Sequence, residues 1–247
     1  NLKLIVDSAQ SIGAKYLKTG KYSGTVGDVG GFSFNCHKHI NTGEGGLLVT
    51  NNPEIARKLY LIRNHGEQVI ESKKAKNLYN VIGYNFRMGE IEASIAIEQL
   101  KKLKKILKKK QKQAKKIING VKMLEGLYVP ITNKDVTHSF YNMGFKVSDS
   151  INRNKVVRLL KREGVPCNPG YLNIHTLPMF KNKIAYGKNN FPWSINKKKY
   201  NYQKCEIAEK LHNKSYFGLG MCSFDFTDND INYIIGKFHK VWSKIIK

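Results

Sequence analysis

Three short apolar runs, LKLIV (2–6), GGFSF (30–34) and GGLLVT (45–50), open the sequence with loop-like segments between them. Runs of this length, bounded by glycine and polar residues, read as buried strands rather than helices. A helical pattern follows from Pro53 to Ile62. Strands and helices in this rhythm predict an α/β domain.

From Met88 the period changes. Ala96, Leu100, Leu103 and Leu107 recur at spacings of four, three and four, which is one apolar stripe of a long helix. Ten lysines fall between Lys101 and Lys116, mainly off that stripe and with no aromatic residues interleaved for base stacking. They read as a solvated face. A second change of texture after Gly120 and Gly126 predicts a domain change there. Beyond it, Tyr141 to Val147 reads as a strand, Asn152 to Glu163 as a helix stopped at Gly164, and Gly187 to Lys199 as a loop. Asp228 to Ile246 reads as a closing helix capped by Asp228, with Ile231, Ile234, Ile235, Phe238 and Val241 on its apolar face.

Composition narrows the function classes. The formal charge of +25 raises nucleic-acid binding, but only six of the 43 basic residues are arginine. Bidentate recognition of phosphates and bases favours the flat guanidinium, so a lysine excess with many Asn and Ile fits a coding bias better than a nucleic-acid footprint. No run of eighteen apolar residues occurs and the first residues lack a signal-peptide pattern, so no membrane span and a cytoplasmic location are expected. The four cysteines, Cys36, Cys167, Cys205 and Cys222, form no CxxC pair, so neither a metal site nor a disulfide framework is expected. The chain starts on Asn1 and enters an apolar run with no Met, cap or turn, which suggests that its beginning lies upstream.

Two constellations carry candidate chemistry. In VDSAQSIGA (6–14), Asp7 stands at the C-terminal end of a strand, the edge where open α/β sheets bind ligands. The plain alternative is a helix cap. In GFSFNCHKHINTGEGG (31–46), a strand leads into a loop with Ser33 five residues before Lys38 and GEGG starting five residues after it. A hydroxyl can bond a phosphate oxygen, glycines allow close backbone approach, and a lysine in a partly dry cleft is more often the neutral amine that attacks an aldehyde. A carboxylate near a pyridine nitrogen would keep it protonated, a role open to Asp7 with Gln10 beside the ring.

These stretches together resemble the DegT/DnrJ/EryC1/StrS sugar aminotransferases, a family of pyridoxal-phosphate (PLP) enzymes with the fold-type-I, aspartate aminotransferase-like architecture. VDSAQSIGA resembles the family's Asp-x-Ala-Gln segment and FSFNCHKHINTGEGG its Ser-Phe-x-x-x-Lys-x-x-x-x-Gly-Glu-Gly-Gly segment. IRNHG (62–66) is similar to its Arg-x-His-Gly step, and GYNFRMGEIEASIAIEQLKKL (83–103) to its Gly-Tyr-Asn-x-Arg-Met block. Weaker likenesses follow in HSFYNMGFKV (138–147), YLNIHTLPMF (171–180) and CEIAEKL (205–211).

The resemblance implies the C-terminal part of such an enzyme: the remainder of a PLP-binding large α/β domain and the start of a connecting helix over 1–105, then the rest of that helix and a small α+β domain over 106–247. It implies that Lys38 is the catalytic residue that carries the cofactor, that Asp7 pairs with the pyridine nitrogen, and that Gln10 and Ser33 contact the cofactor. Asn85 would reach the cofactor phosphate of a neighbouring subunit, in a homodimer with composite active sites. Arg87 matches the motif without a clear role, its plain alternative and that of Asn85 being a helix cap, while His65 and His175 read as structural. The implied reaction moves an amino group from an amino acid, glutamate by expectation, to a nucleotide-linked keto-sugar for surface polysaccharide or amino-sugar synthesis. Alternatives are a PLP-dependent sugar dehydratase with histidine at the lysine position, since His37 and His39 flank Lys38; an inactive fragment; and a basic nucleic-acid-binding protein. The spacings from Ser33 and to Gly43 select Lys38 over either histidine.

Overall fold

The structure is a computed structural model that describes residues 2–67, 81–170, 172–184, 187–191, 193–195 and 204–246. It divides into two compact units, one of residues 1–114, 131–141 and 221–225, the other of 115–130, 142–220 and 226–247.

The first unit holds a three-stranded sheet. β1 (Ile5–Asp7) runs parallel to β2 (Val29–Ser33), and β3 (Gly46–Val49) pairs antiparallel with β2, in the order β1-β2-β3. The first apolar run joins the ladder only at Ile5, and the burial expected of these strands is not seen: Leu4, Ile5, Leu47 and Leu48 are exposed. Before Ile5, Leu4 is tied to the loop entering β2: its N–H donates to the Asp28 carboxylate at 2.9 Å and its carbonyl accepts from Asp28 N. α1 (Pro53–Arg63) starts as the sequence predicts, with Pro53 in its first turn and the Asn52 side chain accepting from Glu54 N and Ile55 N.

α2 (Glu90–Val121) is the long helix. Ala96 is buried against Ile12, Phe34 and Ile40, and Leu103, Ile106, Phe32 and Met88 pack around this cluster. Leu100, expected in the apolar stripe, is 43% exposed. The buried line passes instead through Lys110, Gln113, Ala114, Ile117 and Val121. Lys110 is the exception to the solvated lysine face. It is buried because its Nζ donates to Phe224 O at 2.6 Å, and burial holds its pKa below the usual lysine value.

The second unit is built on a four-stranded antiparallel sheet, ordered β4 (Leu127–Tyr128), β5 (Asn142–Val147), β7 (Tyr216–Gly220), β6 (Cys167–Asn168). α3 (Arg153–Arg162) is capped by the Asn152 side chain and stops at Gly164, whose φ of +78° suits glycine. α6 (Asp228–Trp242) packs with α3. Its cap is Thr227 rather than Asp228: the Thr227 hydroxyl accepts from Asp230 N at 3.2 Å while the Asp230 carboxylate accepts from Thr227 N at 2.7 Å. The reciprocal pair satisfies two end groups, whereas Asp228 stands already in the first turn. Phe145, Phe217 and Phe238 stack at 5.2 to 6.2 Å between centroids and Trp242 lies 6.0 Å from Phe238, which makes an aromatic core.

Two short helices, α4 (Pro178–Lys181) and α5 (Glu206–Lys210), complete the unit, and α5 runs into a π-helical turn at Leu211–Ser215. Buried Arg153 donates to the carbonyls of His212, Asn213, Pro169 and Tyr216, satisfying backbone acceptors at the end of that turn. Within the expected loop 187–199, Lys188–Asn190 and Trp193–Ile195 form single 3-10 turns, and 192 and 196–199 lie outside the described residues.

Phe238→Ala should cost the second unit about 3–5 kcal/mol, the usual loss for emptying an aromatic core site. Chemical denaturation followed by tryptophan fluorescence, to which Trp193 and Trp242 both contribute, measures it.

Candidate cofactor site

The parallel pairing of β1 and β2 decides where the site lies. Asp7 stands opposite Gly31 at the C-terminal end of β1, and Ser33 ends β2 two residues further on. Both therefore reach the same edge of the sheet, where ligands of α/β sheets bind. No helix begins at Asp7. Its Oδ1 instead accepts from Ala9 N at 3.0 Å, an Asx turn that steers the chain away from the strand and leaves the carboxylate exposed. Gln10 follows in the same turn, its carbonyl accepting from the Ser139 hydroxyl at 3.1 Å.

Lys38 sits in a loop with a closed neck. Phe34 N donates to Gly45 O and Thr42 N to Phe34 O, each at 2.9 Å, while the Phe34 ring is buried in the cluster with Ile12, Ile40 and Ala96. Within the loop, Asn35 Nδ2 donates to the Glu44 carboxylate at 2.7 Å and Lys38 N to Asn35 O at 2.9 Å. Ser33 Oγ accepts from Asn35 N at 3.2 Å. The GEGG glycines do what the sequence asks of them: Gly43 and Gly45 take φ of +85° and +152°, and a Cβ on Gly45 would come within 2.8 Å of Met88 Cε. Lys38 is half-buried, with Nζ 4.6 Å from the centroid of the Tyr141 ring.

The two flanking histidines part company. His37 is exposed, whereas His39 is 6% exposed and its Nε2 donates to Ser139 O at 2.8 Å. Burial holds the His39 pKa below the imidazole norm. The bond to Ser139 works the other way, and the nearby positive charges of Lys110, His138 and Lys38 add to the lowering. Its Nδ1 is buried with no hydrogen-bond partner among the described residues. Cys222 lies in the same neighbourhood, where burial pushes its thiol up to about 11 against the pull of Lys110 and Lys38. Sequence reasoning missed Ser139, Tyr141, Lys110 and Cys222. For Ser139 and Tyr141 the signal available was the weak family likeness of 138–147; no local pattern marks Lys110 or Cys222.

Asn85 and Arg87 are placed on another part of the unit, by a bridge between Asn64 and Asn85. His65 N donates to Tyr84 O and Tyr84 N to Ile62 O, so the RNHG and GYNFRM stretches are held together by backbone. A Cβ on Gly83 would meet Gly66 N at 2.0 Å, and only glycine fits there. Arg87 Nη1 donates to buried Asn64 Oδ1 at 2.7 Å, which gives the arginine a structural task. Neither Asn85 nor Arg87 caps α2. Asn85 is exposed, its Oδ1 accepting only weakly from Arg87 N at 3.4 Å. His65 is exposed with a left-handed backbone, φ +55°, and His175 Nε2 lies 2.9 Å from the Glu209 carboxylate.

A carboxylate, a hydroxyl and an amine at one sheet edge form a donor set that suits a phosphorylated pyridine aldehyde. The model for the DegT/DnrJ/EryC1/StrS aminotransferase family matches residues 1–209. The chain belongs to that family. It is 30% identical over 247 residues to the GDP-perosamine synthase of Escherichia coli O157:H7, an alignment covering 98% of this chain and 59% of that protein. The aminotransferase of Psychrobacter cryohalolentis superposes on the whole chain with a TM-score of 0.84 at 26% identity, over 63% of its own length. The E. coli GDP-4-keto-6-deoxy-D-mannose-3-dehydratase with bound hydrated PLP matches 96% of this chain and 60% of its own, with a TM-score of 0.73 and 26% identity. The chain thus spans about three fifths of the length of these relatives. Its family fold is that of the fold-type-I PLP enzymes. No helix among the described residues is long and apolar enough to cross a membrane.

The thiols test the burial at the site. Cys36 and Cys205 are exposed, while burial raises Cys167 as well as Cys222 to about 11. At pH 8 a disulfide reagent should titrate exposed Cys36 and Cys205 rapidly, half-buried Cys222 and buried Cys167 slowly, and all four rapidly after denaturation. Below the ordinary thiol value of 9.0 the thiols of Cys167 and Cys222 are neutral folded or unfolded; between there and about 11 the unfolded thiolates form first, and stability falls as pH rises.

Proposed function

We propose that the protein is a PLP-dependent sugar aminotransferase in which Lys38 carries the cofactor. The observation that supports this most is the half-buried Lys38 on a loop closed at Phe34, beside the strand edge that presents Asp7 and Ser33. PLP, when bound, supplies an electron sink for the carbanion left at the donor's α-carbon. In this reading the Asp7 carboxylate holds a proton on the pyridine nitrogen, Ser33 Oγ bonds a phosphate oxygen, and Gln10 lies against the ring. Lys38 Nζ moves the proton to and from the donor carbon, a task that needs an amine tethered beside the ring. Residues 1–105 would be the cofactor-binding portion and 106–247 the rest of the connecting helix and the small domain.

The substrate we infer is a nucleotide-linked keto-sugar with glutamate as donor, serving surface polysaccharide or amino-sugar synthesis in the cytoplasm. The GDP-sugar relatives support that class, and positively charged lysines suit a diphosphate. We further read the protein as a homodimer in which Asn85 reaches the partner's cofactor phosphate. Exposed Tyr84 and Phe86, stacked at 5.1 Å on either side of Asn85, suit a covered surface better than an open one.

Borohydride reduction of the PLP-loaded protein should fix the cofactor to Lys38 alone, as mapped by mass spectrometry. Label on another lysine would overturn the assignment; binding without any fixation would favour the dehydratase reading. Lys38→Ala and Lys38→Arg should lower transamination by roughly 100-fold or more, the scale of a lost acid–base group. Asp7→Asn should keep the fixation and lose turnover.

A further inference from the structure

We infer that Tyr141 is a positioning residue for Lys38, whose ring face is the resting seat of the lysine ammonium whenever that amine is not joined to the cofactor. This rests on the reading of Lys38 given above.

Lysine–tyrosine contacts are common in so lysine-rich a chain, and most mean little. Lys15, Arg63, Lys146 and Lys237 also lie over tyrosine rings, but those rings, Tyr22, Tyr60, Tyr128 and Tyr233, are all exposed. Among the described residues only the Lys38–Tyr141 pair is half-buried on both sides, with Nζ 4.6 Å from the ring centroid. An ammonium removed from part of its water gains most from an aromatic face.

The ring is also held in place from several directions. His39, next to Lys38, donates to Ser139 O at 2.8 Å, and its own ring lies 6.2 Å from that of Tyr141. Ser139 Oγ donates to Gln10 O at 3.1 Å, so one residue ties the lysine loop to the turn that follows Asp7. Phe140, between them, is buried with a φ of +54°, a conformation bulky residues avoid. Its N–H donates to His138 Nδ1 at 2.8 Å. Such strain persists where the surroundings over-determine it, and here it sets the path by which residue 141 follows residue 139. Cys222 N, donating to Tyr141 O at 3.3 Å, holds the far side.

A lysine that must alternate between bound and released positions needs a defined second position. Without one, its released ammonium would swing into solvent and lose orientation toward the donor carbon. Tyr141 supplies that position by its face, so the phenol oxygen is not required, and Tyr141→Phe should behave as wild type while Tyr141→Leu should not.

The test is competitive acetylation of the cofactor-free protein, with the rate at each lysine read by peptide mass spectrometry. In wild type and Tyr141→Phe, Lys38 should acetylate more slowly than in Tyr141→Leu, by roughly 2- to 30-fold on the scale of cation–π contacts. The exposed lysines of α2 serve as internal controls for the reagent, and an unchanged slow rate at buried Lys110 shows that Tyr141→Leu is folded. Equal Lys38 rates in all three proteins would overturn the inference, as would a Tyr141→Phe protein that behaves like Tyr141→Leu. Borohydride mapping of the PLP-loaded variants separates the two readings. Fixation at Lys38 with no acetylation difference sinks the role of Tyr141 alone, whereas fixation at another lysine sinks the cofactor assignment itself.

Discussion

Phe34 is bonded through its backbone on both sides, to Gly45 and to Thr42, while its ring lies in the cluster of Ile12, Ile40 and Ala96. The loop between is mostly polar, but it is also pinned from within, because Ile40 is fully buried in the same cluster and buried His39 donates to Ser139 O. Moving either end breaks a backbone bond and pulls an aromatic ring from the core. The entropy of ordering the loop is thus met by packing at its ends and at Ile40. The placement of Lys38 depends on that neck. The parallel ladder of β1 and β2 does the same for Asp7, fixing its height relative to Ser33 by register alone.

Lys38 and Lys110 both bring positive charge to the neighbourhood of the loop. Lys110, although buried, is kept by one strong bond to a carbonyl, and with Lys38 it depresses His39 and draws down the otherwise raised Cys222 thiol. A neutral His39 can still donate through Nε2, which is the form its bond to Ser139 requires. The same field suits an anionic ligand, since lysines in low-dielectric surroundings raise the local concentration of phosphate-bearing molecules. The lysine excess of the sequence and the chemistry of the site therefore meet at a few positions, while most of the lysines along α2 remain solvated.

Several motif residues serve the scaffold. Gly66 and Gly83 are needed because two backbone segments pass too close for a Cβ, and Arg87 braces buried Asn64. A motif seen in sequence mixes residues that touch ligand with residues that allow the touching ones to stand where they do. Spacing does not separate the two kinds. The distance from Gly83 to Gly66 does.

The strands of the first unit, though not the burial expected of them, α1, the long helix and the apolar face of α6 were legible in the chain itself, because hydrophobic period and glycine placement are local properties. So was the turn that carries Lys38, since Ser33, the lysine and the GEGG glycines fall within one short stretch. Where the reading failed it failed at ends and partners: the cap of α6 went to Thr227 because a reciprocal pair with Asp230 outweighs a single aspartate, and Leu100 lost its place on the buried face to the line through Lys110. Only the tertiary structure decided that residues 139 to 141 come back to the loop at 38 and 39, across about a hundred positions of sequence. No local pattern encodes such a contact. It follows from how strands and turns stack once the core has closed, and from a left-handed Phe140 that its own sequence neighbours would not favour.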